Sequence, residues 1–306
     1  MTIAPSGEQF TLRHGEMEAT VVEVGGGVRS FRDADRDVLE PYSVDALCDG
    51  GRGQVLAPWP NRLADGRYTF DGADHQLALT EPAAHNAMHG LLRWQPWRSD
   101  GVDSDRVSMT TTLFPTPGYP FLLGMRVDYL LDDSGLTVTT TATNLGDRAL
   151  PYGSGQHPYL AVGGGVLDES ALKFEAETRI TTDPERQLPI GSERVAEGAF
   201  DFRETRVLGD LAIDHAFTGL ARDSDGAAWV HLTGTDGRTV AFWAGAGYSL
   251  VQLYTADTLA PAKRRRSLAC EPMTCPPNAL ATGDGVIRLQ PGQSSSAAWG
   301  VGLLPV

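Results

Sequence analysis

The stretch that decides the fold is Met125-Arg-Val-Asp-Tyr-Leu-Leu-Asp-Asp-Ser-Gly-Leu-Thr-Val-Thr-Thr-Thr-Ala142. Apolar and polar residues alternate from Met125 to Tyr129 and again from Leu136 to Ala142. The turn Asp133-Ser134-Gly135 separates the two alternating parts. Alternation with a period of two places one face of a strand in a core and the other in water. This stretch therefore predicts a β-hairpin.

The same pattern recurs on both sides of this hairpin. Tyr68–Phe70 and Gln76–Leu79 flank Asp71-Gly72, a dipeptide that strongly indicates a hairpin turn. Residues 229–243 repeat the arrangement around Asp236-Gly237. No long window has apolar residues at helical spacing, and no linker-like change of composition divides the chain. We therefore predict a single all-β domain over residues 1–306, a large antiparallel sandwich or barrel.

Composition excludes several classes of partner. The chain has 306 residues, 25 basic and 39 acidic side chains, and a formal net charge of −14. This charge repels phosphate backbones and anionic lipids, so we expect neither nucleic acid nor membrane as a partner. The apolar runs are shorter than the roughly 20 residues of a spanning helix. Met1 to Thr11 lacks the basic and apolar regions of a secretory signal.

The cysteine content indicates a reducing environment. Cys48, Cys270 and Cys275 are too few for a disulfide framework, which predicts a cytoplasmic protein. The spacing of Cys270 and Cys275 matches no common zinc pattern, and no second cysteine pair exists. We therefore expect no metal and no other cofactor.

Two segments combine prolines, tryptophans or glycine with polar side chains, as loops that line a cleft often do. In Ala57-Pro-Trp-Pro-Asn-Arg-Leu63, prolines stiffen the chain, and Asn61 and Arg62 offer hydrogen-bonding groups suited to a polyhydroxylated ligand. In Asn86-Ala-Met-His-Gly90, His89 is a candidate donor. An ordinary surface turn and a structural histidine are the alternatives for these segments.

A third segment, Tyr152-Gly-Ser-Gly-Gln-His-Pro-Tyr-Leu160, frames His157 between glycines and a proline. Glycine permits tight backbone turns, and Pro158 restricts the conformation of the residue before it. Proton transfer needs such rigid positioning, although a structural histidine in a tight turn is the alternative. The Gly-Ser-Gly lacks the lysine and the following helix of a phosphate-binding loop.

Two further segments each offer a carboxylate. In Ile213-Asp-His-Ala-Phe217, Asp214 lies among apolar residues, where its charge is costly unless hydrogen-bonded, for example by ligand hydroxyls. His215 would point to the other face of a strand. In Ala269-Cys-Glu-Pro-Met273, Glu271 has the stiff, partly apolar setting of a general base. An aspartate held by backbone amides and a solvated glutamate are the alternatives.

Taken in order, five short motifs resemble the aldose 1-epimerase family. They are Pro-Trp-Pro-Asn-Arg-Leu (58–63), Met-His-Gly (88–90), Gly-Gln-His-Pro-Tyr (155–159), Val-Gln-Leu-Tyr-Thr (251–255) and Cys-Glu-Pro (270–272). The resemblance implies a large antiparallel β-sandwich of the galactose mutarotase-like type with a sugar in an open cleft. It also implies an enzyme that interconverts the α and β anomers of a hexose or related aldose without metal or nucleotide.

The resemblance implies a role for each candidate residue. Glu271 matches the family's general base and His157 its general acid. The residues that match groups holding the sugar are Arg62, His89 and Asp214, with Asn61 and Gln252 as lesser contacts. A small-molecule sugar is thus the expected partner of a monomer or homodimer.

Three other functions stay open. One is epimerisation of a charged sugar, a hexose 6-phosphate or a sulfonated hexose, with Arg264–Arg266 or another arginine near the anion. The basic run Lys263–Arg266 is otherwise a solvated loop. A second is sugar binding without turnover, which would not need both Glu271 and His157. A third is glycoside hydrolysis by Asp214 and Glu271, which would leave His157 without a role.

Overall fold

The computed structural model describes residues 3–304. In chain order its strands are β1 (Gln9–His14), β2 (Met17–Val22), β3 (Val28–Asp33), β4 (Arg36–Leu39), β5 (Val55–Leu56), β6 (Arg62–Ala64), β7 (Arg67–Phe70), β8 (Ala73–Gln76), β9 (Asn86–Met88), β10 (Arg98–Val102), β11 (Arg106–Leu113), β12 (Leu123–Asp132), β13 (Gly135–Asn144), β14 (Leu150–Tyr152), β15 (Gly155–Gln156), β16 (Tyr159–Ala161), β17 (Ala171–Phe174), β18 (Ala176–Thr182), β19 (Pro189–Arg194), β20 (Phe202–Val207), β21 (Asp214–Leu220), β22 (Ala228–Thr233), β23 (Thr239–Ala244), β24 (Leu250–Tyr254), β25 (Ser267–Met273), β26 (Ile287–Leu289) and β27 (Ser294–Leu303). The helical elements of the described range are α1 (Ala279–Thr282) and two 3-10 turns, Pro82–Ala84 and Leu167–Glu169.

Two large antiparallel sheets form a sandwich, which confirms the predicted fold class. A twelve-stranded sheet runs in the order β1-β2-β3-β4-β16-β25-β24-β21-β18-β19, and the short strands β15 and β5 join it beside β25. A nine-stranded sheet runs in the order β10-β11-β12-β13-β27-β23-β22-β17-β20. In the described range no helix is long and apolar enough to cross a membrane.

The hairpin that decided the fold forms as predicted. β12 and β13 pair antiparallel with Met125 opposite Ala142, and buried and half-buried residues alternate along β12. The hairpin of β22 and β23 is also confirmed. In the hairpin of β7 and β8, the second strand begins at Ala73 rather than at Gln76. Asp71-Gly72 forms a two-residue turn, so pairing resumes directly after it.

A buried polar chain ties the two sheets together behind the predicted site. The indole N–H of Trp299 in β27 donates to the side-chain oxygen of Gln156 over 2.9 Å. The Gln156 amide donates to the Tyr129 hydroxyl, also over 2.9 Å, and this hydroxyl donates to the carbonyl of Gly26 over 2.6 Å. Because an unpaired buried polar group costs about 1–3 kcal/mol, this satisfied chain fixes the residue next to His157.

Three of the predicted site residues, Asp214, Gln252 and Glu271, lie on neighbouring strands of the twelve-stranded sheet. β25 lies between β16 and β24, and all seven of its residues are buried. Glu271 in β25 is paired in register with Gln252 in β24, and Tyr254 in β24 is paired with Asp214 in β21. A carboxylate in such a strand has little freedom to move, which suits a group that must meet a substrate atom in a fixed place.

Candidate active site

An open cleft of about 250 Å³ lies on this part of the sheet. Six of the seven predicted site residues line it, namely Asn61, Arg62, His89, His157, Asp214 and Glu271. Gln252 does not line the cleft, but its amide donates to Asp214 from behind over 2.6 Å. The cleft is close to the lower end of the usual range for small-molecule sites, about 300 Å³.

His157 and Glu271 form a buried pair in the cleft. The imidazole Nε2 lies 3.3 Å from the carboxyl Oε1, and the two side chains are only 6% and 4% exposed. His157 Nδ1 and Glu271 Oε2 have no hydrogen-bond partner within residues 3–304. Each of the two side chains therefore keeps one polar atom that is not hydrogen-bonded to a described residue of the protein.

Several contacts hold the His157 ring in place. Its backbone N–H donates to the Gln54 carbonyl over 3.2 Å, and its own carbonyl accepts from the N–H of Gly53 over 2.8 Å. The Tyr159 ring stacks on the imidazole with a centroid separation of 4.9 Å. At Gly51, with φ +73°, a Cβ would lie 2.9 Å from the imidazole Cδ2, so a glycine suits this close approach.

Burial shifts the pKa values of the pair towards uncharged forms. Desolvation raises the pKa of Glu271 well above its usual value, and repulsion from Asp214 adds to this. Desolvation lowers the pKa of His157 to about 3, and the nearby Arg93 guanidinium acts in the same direction. Both shifts favour the uncharged forms, a protonated carboxyl beside a neutral imidazole. Such a pair can donate a proton and accept another.

His89 and Asn61 hold each other through reciprocal hydrogen bonds. His89 Nδ1 accepts from the backbone N–H of Asn61 over 3.1 Å, and the backbone N–H of His89 donates to the Asn61 carbonyl over 2.8 Å. Burial lowers the pKa of His89 well below its usual value, so the ring is neutral. With Nδ1 acting as acceptor, the proton resides on Nε2, which makes His89 a donor to an oxygen in the cleft.

The opposite part of the cleft carries paired charges. Arg62 meets Glu81 at two points, Nε to Oε2 over 2.9 Å and Nη2 to Oε1 over 3.2 Å. Asp214 accepts the hydrogen bond from Gln252, and burial raises the pKa of Asp214 while Arg62 opposes the shift. Glu81 lies in Thr80-Glu81-Pro82, where no sequence signal distinguishes it from an ordinary loop carboxylate.

Arg93 is a second cleft residue without a predicted role. Its guanidinium lies 5.9 Å from the ring of Trp94 and forms no ion pair or hydrogen bond with any residue from 3 to 304. In the sequence, Arg93 was distinguished only by its position three residues after the Met-His-Gly motif. A lone arginine near a motif is common, so the sequence alone did not identify Arg93 as a site residue.

The basic run Lys263–Arg266 does not line the cleft. Lys263 pairs with Asp49 over 3.0 Å. Arg265 pairs with Asp168 over 2.6 Å and with Asp257 over 2.8 Å. Lys263 and Arg265 therefore hold neighbouring loops, whereas for the exposed Arg264 and Arg266 contact with an anionic group of a substrate stays a prediction.

One group of side chains in the described range has the spacing of a metal site. The ligand atoms of His89, His157 and Glu271 all lie within 4.8 Å of one another. Two neutral imidazoles and a carboxylate match a common set of zinc ligands. The expectation that the protein works without a metal stays a prediction. Cys270 and Cys275 are buried free thiols outside this group.

Comparison with known proteins gives consistent matches. A family model described as "Aldose 1-epimerase" matches residues 8–300. The uncharacterized protein YihR of Escherichia coli is 32% identical over 94% of this chain and 91% of its own length. The aldose 1-epimerase of the same organism is 27% identical over 76% of this chain and 75% of its own length. A GalM/aldose epimerase homologue from C. elegans has the same fold, with a TM-score of 0.86, 17% identity, and coverage of 98% and 99% of the two chains.

Proposed function

The chain belongs to the aldose 1-epimerase family, and from this premise we propose that it interconverts the α and β anomers of an aldose sugar. The observation that carries the proposal is the His157–Glu271 pair, in which an imidazole and a carboxyl, both buried, lie 3.3 Å apart inside an open cleft. Anomer exchange needs a proton to leave one sugar oxygen and another to reach a second. A protein that only binds sugar would not need this pair.

The reaction is a proton exchange with ring opening and closure. Glu271 accepts the proton of the anomeric hydroxyl while His157 gives a proton to the ring oxygen, and the C1–O5 bond breaks to form the open aldehyde. Rotation about C1–C2 presents the other carbonyl face, and closure with the two proton roles reversed forms the other anomer. Each positioned group is expected to contribute about 10²–10⁴-fold to the rate.

Binding of the sugar must favour the charged forms of the pair before the first step. Burial raises the pKa of Glu271 and lowers that of His157, whereas the reaction begins with Glu271 ionised and His157 protonated. Sugar hydroxyls that donate to the carboxyl replace its lost hydration and favour the ionised form. The proton then crosses the short gap to the imidazole nitrogen. Substrate binding thereby prepares both groups.

The remaining groups orient the sugar. Arg62 and His89 point donors into the cleft, and Asp214 supplies an acceptor. Asn61 acts mainly by positioning His89, because its backbone N–H donates to the His89 ring. Gln252 acts mainly by positioning Asp214, because its side-chain amide donates to the carboxylate. This division agrees with the lesser roles predicted for Asn61 and Gln252.

Anomer exchange measured by NMR tests the proposal. Pure anomers of glucose, galactose, xylose and arabinose, together with anionic hexoses, are incubated with the wild type and with Glu271→Gln. We expect acceleration of at least one aldose by the wild type and its loss in the variant. Binding without acceleration across the panel would overturn the proposal in favour of a sugar-binding protein.

We also propose that residues 1–306 act as one domain in the cytoplasm. A single hydrophobic cluster joins residues of both large sheets, from Leu12 to Val301. The three cysteines are free thiols in the described part of the chain, which fits a reducing compartment. Gel filtration would separate the predicted monomer and homodimer.

A further inference from the structure

The two arginines of the cleft differ in what they contact. Arg62 is bound at two points by Glu81. Arg93 is half-buried in the same cleft, yet no carboxylate of residues 3–304 lies within ion-pair distance of it. A partly desolvated cation without a counter-ion is unfavourable unless a ligand supplies the opposite charge.

The acidic groups of the cleft have other partners. Glu81 is paired with Arg62, and Asp214 accepts a hydrogen bond from Gln252. Glu271 lies 3.3 Å from His157. Of the two arginines that line the cleft, Arg93 is therefore the one that no carboxylate of residues 3–304 meets.

Backbone donors line the same cleft as Arg93. The positive charge of Arg93 acts on the imidazole of His157 and helps to lower its pKa. Gly50 and Gly51 also line the cleft, and their N–H groups have no acceptor within residues 3–304. A Cβ on Gly51 would touch the His157 ring. A guanidinium and free backbone N–H groups are the kinds of donor that bind oxyanions.

We propose that Arg93 binds an anionic substituent of the substrate, so that the preferred substrate is an aldose carrying a phosphate, sulfonate or carboxylate group. This inference rests on the proposed function. In that function His157 serves the ring oxygen, which is bonded to C5. The exocyclic C6 is attached to C5, so a sugar bound in this way carries its C6 substituent on the His157 side of the ring. An anion on C6 would meet Arg93 while C1 faces Glu271.

The test compares matched neutral and anionic sugars. Glucose and 6-deoxyglucose are the neutral probes, and glucose 6-phosphate, 6-deoxy-6-sulfoglucose and glucuronic acid are the anionic ones. Anomer exchange by NMR gives kcat and KM, and calorimetry gives Kd. The variants are Arg93→Gln, which removes the charge, and Arg93→Lys, which keeps it. Arg266→Gln, an exposed arginine outside the cleft, is the matched control.

We expect at least one anionic probe to have a KM and a Kd about tenfold to a hundredfold lower than its neutral counterpart, as a charge-assisted hydrogen bond provides. Arg93→Gln should abolish this difference, Arg93→Lys should restore part of it, and Arg266→Gln should leave it intact. Added salt should weaken only the anionic probes. The anionic probe that gains most identifies the group as phosphate, sulfonate or carboxylate.

Two results separate failure of this inference from failure of the proposed function. If neutral and anionic sugars exchange equally fast in the wild type and Arg93→Gln, the anion site is overturned and anomer exchange stands. If no sugar exchanges faster but the anionic probes still bind through Arg93, the anion site stands and anomer exchange is overturned. A loss of kcat on neutral sugars in Arg93→Gln, with no change in relative Kd, would instead show that Arg93 acts on the acid–base pair and overturn the site.

Discussion

The two sides of the cleft differ in how their buried polar side chains are partnered. On one side, Arg62 and Asp214 are met by Glu81 and Gln252. On the other side, His157 and Glu271 have only each other and keep one uncommitted atom each. Pairing fixes charge and position, whereas burial without pairing leaves a proton mobile. The paired side is therefore suited to hold a sugar and the unpaired side to exchange its protons.

The largest effect is expected on the unpaired side, from Glu271→Gln. The amide cannot accept the anomeric proton, so kcat should fall about 10²–10⁴-fold. Stability should change little, because burial disfavours the charged carboxylate and the amide is a neutral group of the same shape. Anomer exchange by NMR and urea unfolding measure the two quantities. A variant that keeps more than a tenth of the activity would show that the base lies elsewhere.

On the paired side, Arg62→Met should act on binding. Removing the guanidinium deletes donors to the sugar, so KM should rise about tenfold to a hundredfold while kcat changes little. The single change also leaves Glu81 without its partner. The double variant Arg62→Met/Glu81→Gln removes that stranded charge and is the proper reference. A fall in kcat at constant KM in both variants would contradict the division between the two sides.

The unpaired side should also make the fold sensitive to acid. The folded pKa of His157 is about 3, below its ordinary value of 6.5, so its contribution to stability is present above pH 6.5 and is lost as the pH falls towards 3. Between pH 7 and pH 5, protonation of His157 in the unfolded chain lowers the free energy of unfolding of the wild type by about 2 kcal/mol. The variant His157→Asn lacks this group, so its free energy of unfolding should fall by about 2 kcal/mol less over the same pH range.

Urea unfolding at the two pH values measures this difference. His85→Asn is the control, because His85 is exposed and has a positive φ of 54°, which asparagine tolerates. The control should follow the wild type. Equal losses in all three proteins would mean that His157 is not protected from protonation in the folded state.

The smallest effect is a coupling between the two sides. Repulsion from Asp214 helps to raise the pKa of Glu271, so Asp214→Asn should lower that pKa. Activity that needs ionised Glu271 should then persist to lower pH, with the acid limb of kcat/KM shifted in that direction. The pH profiles of the wild type and the variant measure the shift. A limb that moves to higher pH would show that Asp214 does not act through its charge.

Much of the fold could be predicted because its signal is local. Period-two alternation and a Gly-containing turn marked the β12–β13 hairpin within one stretch of chain. The order of strands in the sheets had no such signal. β4 meets β16, and β15 meets β5, through pairings between distant segments. Alternation shows which face of a strand is buried and says nothing about which strand lies beside it.

Within the site, motifs pointed to residues framed by Gly, Pro and Trp. His157 and Glu271 belong to such motifs, and the structure places them together. Glu81 and Arg93 lie in plain loop sequence, and only the folded chain brings them into the cleft. Lys263–Arg266 shows the opposite case, a conspicuous run whose cations bind acidic loops. Charge is easily read in a sequence, but its counter-charge is set by the tertiary structure.

The position of β27 has a consequence for how the protein is made. Residues 294–303 lie in the middle of the nine-stranded sheet, between β13 and β23. While the chain is still emerging from the ribosome, these two strands have no neighbour on their facing edges. Unpaired strand edges invite pairing with other chains, so a nascent or truncated polypeptide that stops before Ser294 is at risk of aggregation. The sheet closes only after Ser294–Leu303 has been synthesised, so the sandwich cannot complete its folding before that point.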